Sequence, residues 1–218
     1  MSRQVALIVG AGPGVSGSLS RLLADDGWDL GLLGADQGVL DELGADLRGR
    51  GADVVPALAD ITDGSAALAE ITRIGEHFGR IDLVHFNPSA FREKDPLELT
   101  VDELLEDVGL GVGALLTVVQ AARPFMSSGA RVTATGSMAA DEPWNRAASL
   151  GVQKAGLRNL VHSLDATLEP DGVRAVSVTV RGSLATEGPF TPDRVGAALY
   201  DAARQDEGEW RTEVLYEG

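Results

Sequence analysis

Residues 5–27 read VALIVGAGPGVSGSLSRLLADDG, and the reading of this stretch decides the fold. Val5–Val9 is a short apolar run suited to a buried strand, a glycine-rich turn follows, and from Val15 the chain reads as helix. Gly12, Gly14 and Gly17 match the pattern G-x-G-x-x-G. Between a first strand and a first helix, such glycines let backbone N–H groups and a helix N-terminus approach a dinucleotide pyrophosphate. The alternative at this point is a merely tight turn. An acidic residue at the end of the second strand, about 20 residues on, is then needed for the adenosine ribose. Asp36 is the nearest candidate, and it serves equally well as the N-cap of the helix that follows it. No Arg or Lys lies beside it to meet a 2′-phosphate, which favours NAD over NADP.

Outward from this stretch, short β-branched runs alternate with helical segments, the pattern of repeated βα units on a parallel sheet. Strands are expected from Val5, Asp29, Asp53, Ile81, Arg131 and Val173, with a last one near TEVLY; helices are expected from near Val15, Asp36, Gly64, Thr100, Arg146 and Pro192. The fold class is therefore α/β: one doubly wound Rossmann domain over residues 1–218, with about seven parallel strands and helices on both faces. The helix from Thr100 to about Met126 carries Leu104, Val108, Val112, Leu115 and Val119 on one stripe. Gly109, Gly111 and Gly113 weaken it and invite close approach of another backbone.

Composition narrows the function. Hydrophobic residues make up 44% and charged residues 23%, as in an ordinary globular domain. A formal net charge of −15 repels a nucleic-acid backbone, so no nucleic-acid partner is expected. Zero cysteines exclude disulfides, thiolate metal sites and a cysteine nucleophile. His77, His85 and His162 are scattered without metal-ligand spacing, so no metal site is expected. The uncharged stretch Val108–Ala122 is shorter than the roughly 20 apolar residues needed to span a bilayer. The N-terminal MSRQVALIVGAG is broken by glycines too early for a secretory signal. A cytoplasmic protein that avoids membranes is the expectation.

Set in order along the chain, these features resemble the short-chain dehydrogenase/reductase family. The family's T-G-x-x-x-G-I-G aligns with Val9, Gly10, Gly14, Val15 and Ser16, so its third glycine is a serine here. Its adenine-contacting aspartate aligns with Asp60, which also suits a helix cap; its N-N-A-G aligns with Phe86, Asn87, Pro88 and Ser89. The catalytic serine aligns with Ser137, and P-G-x-x-x-T aligns with Arg181, Gly182 and Thr186. The resemblance implies cofactor contacts from Gly10, Gly12, Gly14, Val15, Asp36, Asp60, Asn87, Lys154, Gly182 and Thr186. It also implies a catalytic pair of Ser137 and Lys154, and a homodimer or homotetramer formed through the Thr100 helix and the next one.

The family's Y-x-x-x-K helix meets this sequence at Leu150-Gly-Val-Gln-Lys154. The lysine is kept and the tyrosine is leucine, while the only tyrosines, Tyr200 and Tyr216, lie far downstream. The helix-four asparagine of the family corresponds to Gly109. Lys154 is left with three readings: a ribose anchor, an altered acid or base, or a surface lysine. Asp141, Glu142, Asn145 and Arg146 are polar groups near the expected mouth, with Arg146 one turn before Leu150; Arg181 could meet an anion, and Trp144 or Trp210 could line a pocket. Two classes of function follow: a nicotinamide dinucleotide-binding oxidoreductase with a reduced catalytic set, or a non-catalytic binding or partner protein. A third reading has Ser16 and the N-P-S turn closing the cofactor cleft.

Overall fold

A computed structural model describes residues 3–218. Its seven strands are β1 (Val5–Val9), β2 (Asp29–Gly34), β3 (Val54–Leu58), β4 (Leu83–Phe86), β5 (Arg131–Ser137), β6 (Arg174–Val180) and β7 (Glu213–Tyr216). They form one sheet in the order β3-β2-β1-β4-β5-β6-β7, with every pairing parallel. The helices are α1 (Val15–Asp25), α2 (Gln37–Gly49), α3 (Gly64–Phe78), α4 (Val101–Val108), α5 (Ala114–Ala122), α6 (Ala148–Leu168) and α7 (Pro192–Ala203).

The continuous apolar character of the central strands follows from burial on both faces. Along β1, Leu7 and Val9 enter the core that includes α3, α5 and α6, while Ala6 and Ile8 enter the core that includes α1, α2 and α7. Alternation of period two continues across the sheet: Val84 and Phe86 of β4 join the first core, and Val176 and Val178 of β6 join the second. One consequence reaches the site. Thr135 and Ser137 of β5 are paired with Val178 and Val180, so both face the α1 and α7 side.

The long helix expected from Thr100 is not continuous. It opens on a capping box, in which the Thr100 hydroxyl accepts from the Glu103 N–H and the Glu103 carboxylate accepts from the Thr100 N–H. At Gly109–Gly113 it widens into a π turn before α5 resumes. The glycines are the local cause, since they contribute no side-chain packing to hold the α ladder. Of the three, Gly111 alone meets a close neighbour, and that neighbour is a side chain on α6 rather than another backbone; Gly109 borders open space. The helical run Val101–Phe125 has the length and hydropathy of a membrane span, contrary to the shorter stretch read from the sequence. Its apolar face is packed in the core, with Leu115, Val118 and Val119 buried.

Candidate functional site

A cavity of about 390 Å³ opens at the carboxyl ends of the central strands, with Gly14 and Val15 on one side and Asn87, Ser137, Leu150, Lys154 and Gly182 around it. Strand order reverses between β1 and β4, and ligands of doubly wound sheets bind at that switch point. Roomier hollows exist, about 670 Å³ beside α7 and β7 and about 560 Å³ between α4 and α6. Both hold none of the expected catalytic or cofactor-binding residues, although Trp144 and Asn145 line the second, so the smaller cavity is the candidate.

The glycine turn is held by its own backbone. Gly10 adopts φ +76°, a left-handed conformation that glycine takes without strain, and its N–H donates to the Leu33 carbonyl at 2.9 Å. A Cβ on Gly17 would stand 2.5 Å from the Gly12 carbonyl oxygen, so the third glycine of the pattern lets the turn fold onto α1. Ser16 does not close the cleft. Its buried hydroxyl points into the turn, donating to the Gly10 carbonyl (2.9 Å) and accepting from the Gly12 N–H (3.0 Å). Helices α2, α3, α4 and α7 open on capping side chains of Asp36, Asp63, Thr100 and Thr191, whereas α1 opens on Gly14 with no side-chain cap. Gly14 and Val15, at this uncapped helix start, line the cavity, and free N–H groups at a helix start suit an anionic ligand.

The opposite wall is made of side chains. Lys154 is 5% exposed, which rules out the surface reading, and its Nζ donates to the Thr135 carbonyl at 2.8 Å. Burial pulls its ammonium down to about 8. The Thr135 hydroxyl donates to Asn87 Oδ1 at 2.7 Å, so Lys154, Thr135 and Asn87 form one linked row along the cavity. Ser137 accepts from the Ala139 N–H at 3.2 Å. Leu150, one turn before Lys154, lines the same cavity with Phe91, Val180 and Leu184, giving this end an apolar surface. The two tyrosine hydroxyls are engaged elsewhere, Tyr200 with Asp26 and Tyr216 with the Pro189 carbonyl.

The cavity gathers Gly14, Val15, Asn87, Ser137, Lys154 and Gly182 but not the other expected contacts. Gly10 and Gly12 sit behind it in the turn. Asp36 caps α2, accepting from the Val39 N–H at 3.0 Å. Asp60 accepts from the hydroxyl and N–H of Thr62, which hold its carboxyl below the usual range. Thr186 is exposed in the loop between β6 and α7, and Gly109 does not line the cavity. Arg181 pairs with Asp141 and Glu142, and Arg146 pairs with Glu93. Trp144 packs on Phe91, and Trp210 lies between Arg131 and Arg174. Among the described residues no cluster of His, Asp and Glu could hold a metal.

Three buried polar residues, Asp107, Ser149 and Gln153, are absent from the sequence-derived set. Burial pushes the Asp107 carboxyl up, but hydrogen bonds from Arg92 and Ser149 outweigh it and leave the group below its ordinary value. Ser149 and Gln153 stand four apart on α6, one turn of a shared face, and that spacing was the signal available for them.

A parallel sheet of this order with helices on both faces and a cavity at its switch point places the protein in the Rossmann class of α/β proteins. Residues 4–188 match the short chain dehydrogenase family model, and the chain belongs to that family. Among curated relatives, (2S)-[(R)-hydroxy(phenyl)methyl]succinyl-CoA dehydrogenase subunit BbsC of Thauera aromatica is 29% identical over 84% of this chain and 74% of the relative. Sulfoacetaldehyde reductase 2 of Chromohalobacter salexigens is 29% identical over 93% of this chain and 81% of its own. A short-chain dehydrogenase/reductase from Serratia marcescens superposes with a TM-score of 0.90 at 20% identity, over 98% of this chain and 96% of that one. A short chain dehydrogenase from Burkholderia cenocepacia, solved in complex with NADP, superposes with a TM-score of 0.89 at 23% identity, over 99% and 96%.

Proposed function

We propose that this chain binds a nicotinamide dinucleotide across the carboxyl edge of its sheet and lacks the family's tyrosine-dependent proton transfer. Gly14 and the first-turn N–H groups of α1 would hold the pyrophosphate, and Lys154 the nicotinamide ribose. Asp36, exposed beyond β2, would meet the adenosine ribose. These residues fit the group: an uncapped helix start faces the cavity on one side and a buried lysine lines it on the other. When bound, the dinucleotide supplies hydride chemistry. The observation that carries the reading is Leu150 beside Lys154 in the cavity wall, where an apolar side chain replaces a hydroxyl that could move a proton. Among the described residues lining the cavity, Lys154 is the only titratable one. Ser137 is left to orient a substrate oxygen, and the apolar wall suits a substrate with an apolar portion. NAD is favoured over NADP because the carboxylate of Asp36 opposes a 2′-phosphate and no basic side chain adjoins it.

Calorimetric titration with NAD, NADH, NADP and NADPH, paired with thermal shift, tests this. Saturation at about 100 times Kd stabilises the fold by roughly 2.7 kcal/mol. Absence of binding by all four would remove the dinucleotide from the reading.

A second reading, a non-catalytic subunit that pairs with an active family member, is favoured by two observations. The Thauera relative is named as a dehydrogenase subunit, and Leu97, Val101, Leu105 and Val152 are exposed in and around α4 and α6. Turnover by the purified chain alone, measured against turnover after mixing with a family partner, separates the two.

A further inference from the structure

The loop after β4 runs from Asn87 to Leu99 without regular strand or helix, yet it supplies Ser89 and Phe91 to the cavity wall. A loop of this kind is ordinarily mobile unless its backbone groups are tied down. Here the tie comes from α6. The Gln153 side chain is fully buried; its Oε1 accepts from the Ala90 N–H at 2.9 Å, and its Nε2 donates to the Ala90 carbonyl at 3.2 Å and to the Ser149 carbonyl at 3.3 Å. A primary amide thus pairs with one backbone unit as a neighbouring strand would, satisfying both of its polar groups.

The space for that amide is made at the π turn. A Cβ on Gly111 would stand 2.5 Å from Gln153 Oε1 and 3.1 Å from its Cβ. Gly111 therefore provides the slot, Gln153 fills it, and Ala90 is fixed beyond it. The next residues are secured independently. Arg92 reaches both oxygens of buried Asp107, at 3.1 and 3.0 Å, and Asp107 also accepts from the Ser149 hydroxyl at 2.6 Å.

We propose that Gln153 is a positioning residue that, seated against Gly111, fixes the Ala90 backbone and so holds the Ser89–Phe91 wall at the nicotinamide end of the cavity. This rests on the dinucleotide reading and adds to it a residue outside the cavity lining. The wall lines the cavity with Leu150 and Lys154, whereas Asp36, which would meet the adenosine ribose, lies outside that lining. Loosening it weakens ligands that reach the nicotinamide end and spares those that do not.

The test is Gln153→Met, which keeps the volume beside Gly111 and removes all three hydrogen bonds of the amide, with Gln153→Ala as the companion that also removes the volume. Calorimetric affinities of the full chain are measured for NADH and for ADP, and thermal unfolding is followed alongside. A tenfold loss in affinity corresponds to about 1.4 kcal/mol, the cost of re-ordering the loosened wall when the ligand binds. The expected result is that Gln153→Met weakens NADH about tenfold and leaves ADP within about twofold. Equal losses for both ligands, or no loss for either, would overturn the positioning role while leaving dinucleotide binding intact. No binding of NADH by the unsubstituted chain would overturn the dinucleotide reading and this one with it.

Discussion

The two sides of the cavity are built from different materials. From Gly10 to Gly17 the wall is backbone, shaped by a left-handed Gly10, a close approach at Gly17 and an uncapped helix start. From Ser137 to Lys154 it is side chain, and its chemistry hangs on a few atoms. A backbone cradle tolerates exchange of the residues around it: Ser16 stands in a glycine position and its hydroxyl turns inward without filling the cleft. A proton donor does not tolerate exchange: on the function proposed above, an isobutyl side chain at position 150 in place of a hydroxybenzyl one carries no transferable proton. On this reading recognition outlasts reaction.

The most direct way to break the contrast is Leu150→Tyr. It places a phenol one turn before Lys154 in the same cavity, and a positioned general acid contributes about 10²- to 10⁴-fold in rate. The expected outcome, measured as reduced-cofactor consumption over a panel of aldehydes and ketones, is a gain in that range. Unchanged turnover across the panel would place the deficit elsewhere, with Gly109, which corresponds to the family's helix-four asparagine, the next position to restore.

Lys154 gives the next effect, through pH. Below pH 8 folded and unfolded chains both carry the ammonium, and folding bears the whole cost of burying it. Above 8 the folded chain releases the proton while the unfolded chain holds it to about 10.5, so the cost fades and stability rises with pH across that window. A displacement of this size corresponds to something on the order of 3 kcal/mol. In Lys154→Met the rise should vanish, and the difference between the two urea-unfolding series between pH 7 and 10.5 reads it free of other titrating groups. Parallel series would mean that Lys154 is solvated in solution. At the opposite side Gly17→Ala drives a methyl group into the Gly12 carbonyl; overpacking of this kind costs about 1–3 kcal/mol and should weaken NADH at least in proportion as the turn shifts.

Legibility in the sequence divided along the same line. The sheet could be read because strands buried on both faces are continuous apolar runs and the first glycine turn fixes where the crevice lies, and β1, α1, α3 and α7 begin where the sequence places them. Ser137, Asn87 and Lys154 could be placed because the motifs of the family that the chain resembles fall on them in order along the sequence. The π turn could not, since three glycines announce a weak helix but not how its ladder resettles. Nor could the Gln153–Ala90 pairing, which joins residues 63 apart and depends on a slot at Gly111 that only three-dimensional packing creates. Asp36 and Asp60 were ambiguous for a different reason, that one carboxylate can cap a helix or bind a ligand with the same atoms.

Asp36 is where the smallest expected effect is the most informative. Its Oδ1 accepts from the Val39 N–H, a cap whose loss in Asp36→Ala costs about 1 kcal/mol. That bond occupies one carboxylate oxygen and leaves the other for a ribose hydroxyl, so the two roles are compatible. Asp36→Asn separates them, because asparagine caps a helix as well as aspartate but carries no charge to oppose a 2′-phosphate. The expected result is unchanged unfolding with a narrowed preference for NAD over NADP in calorimetry. If preference and stability both stay put, Asp36 is a cap alone, and cofactor choice must be set by residues further along the turn.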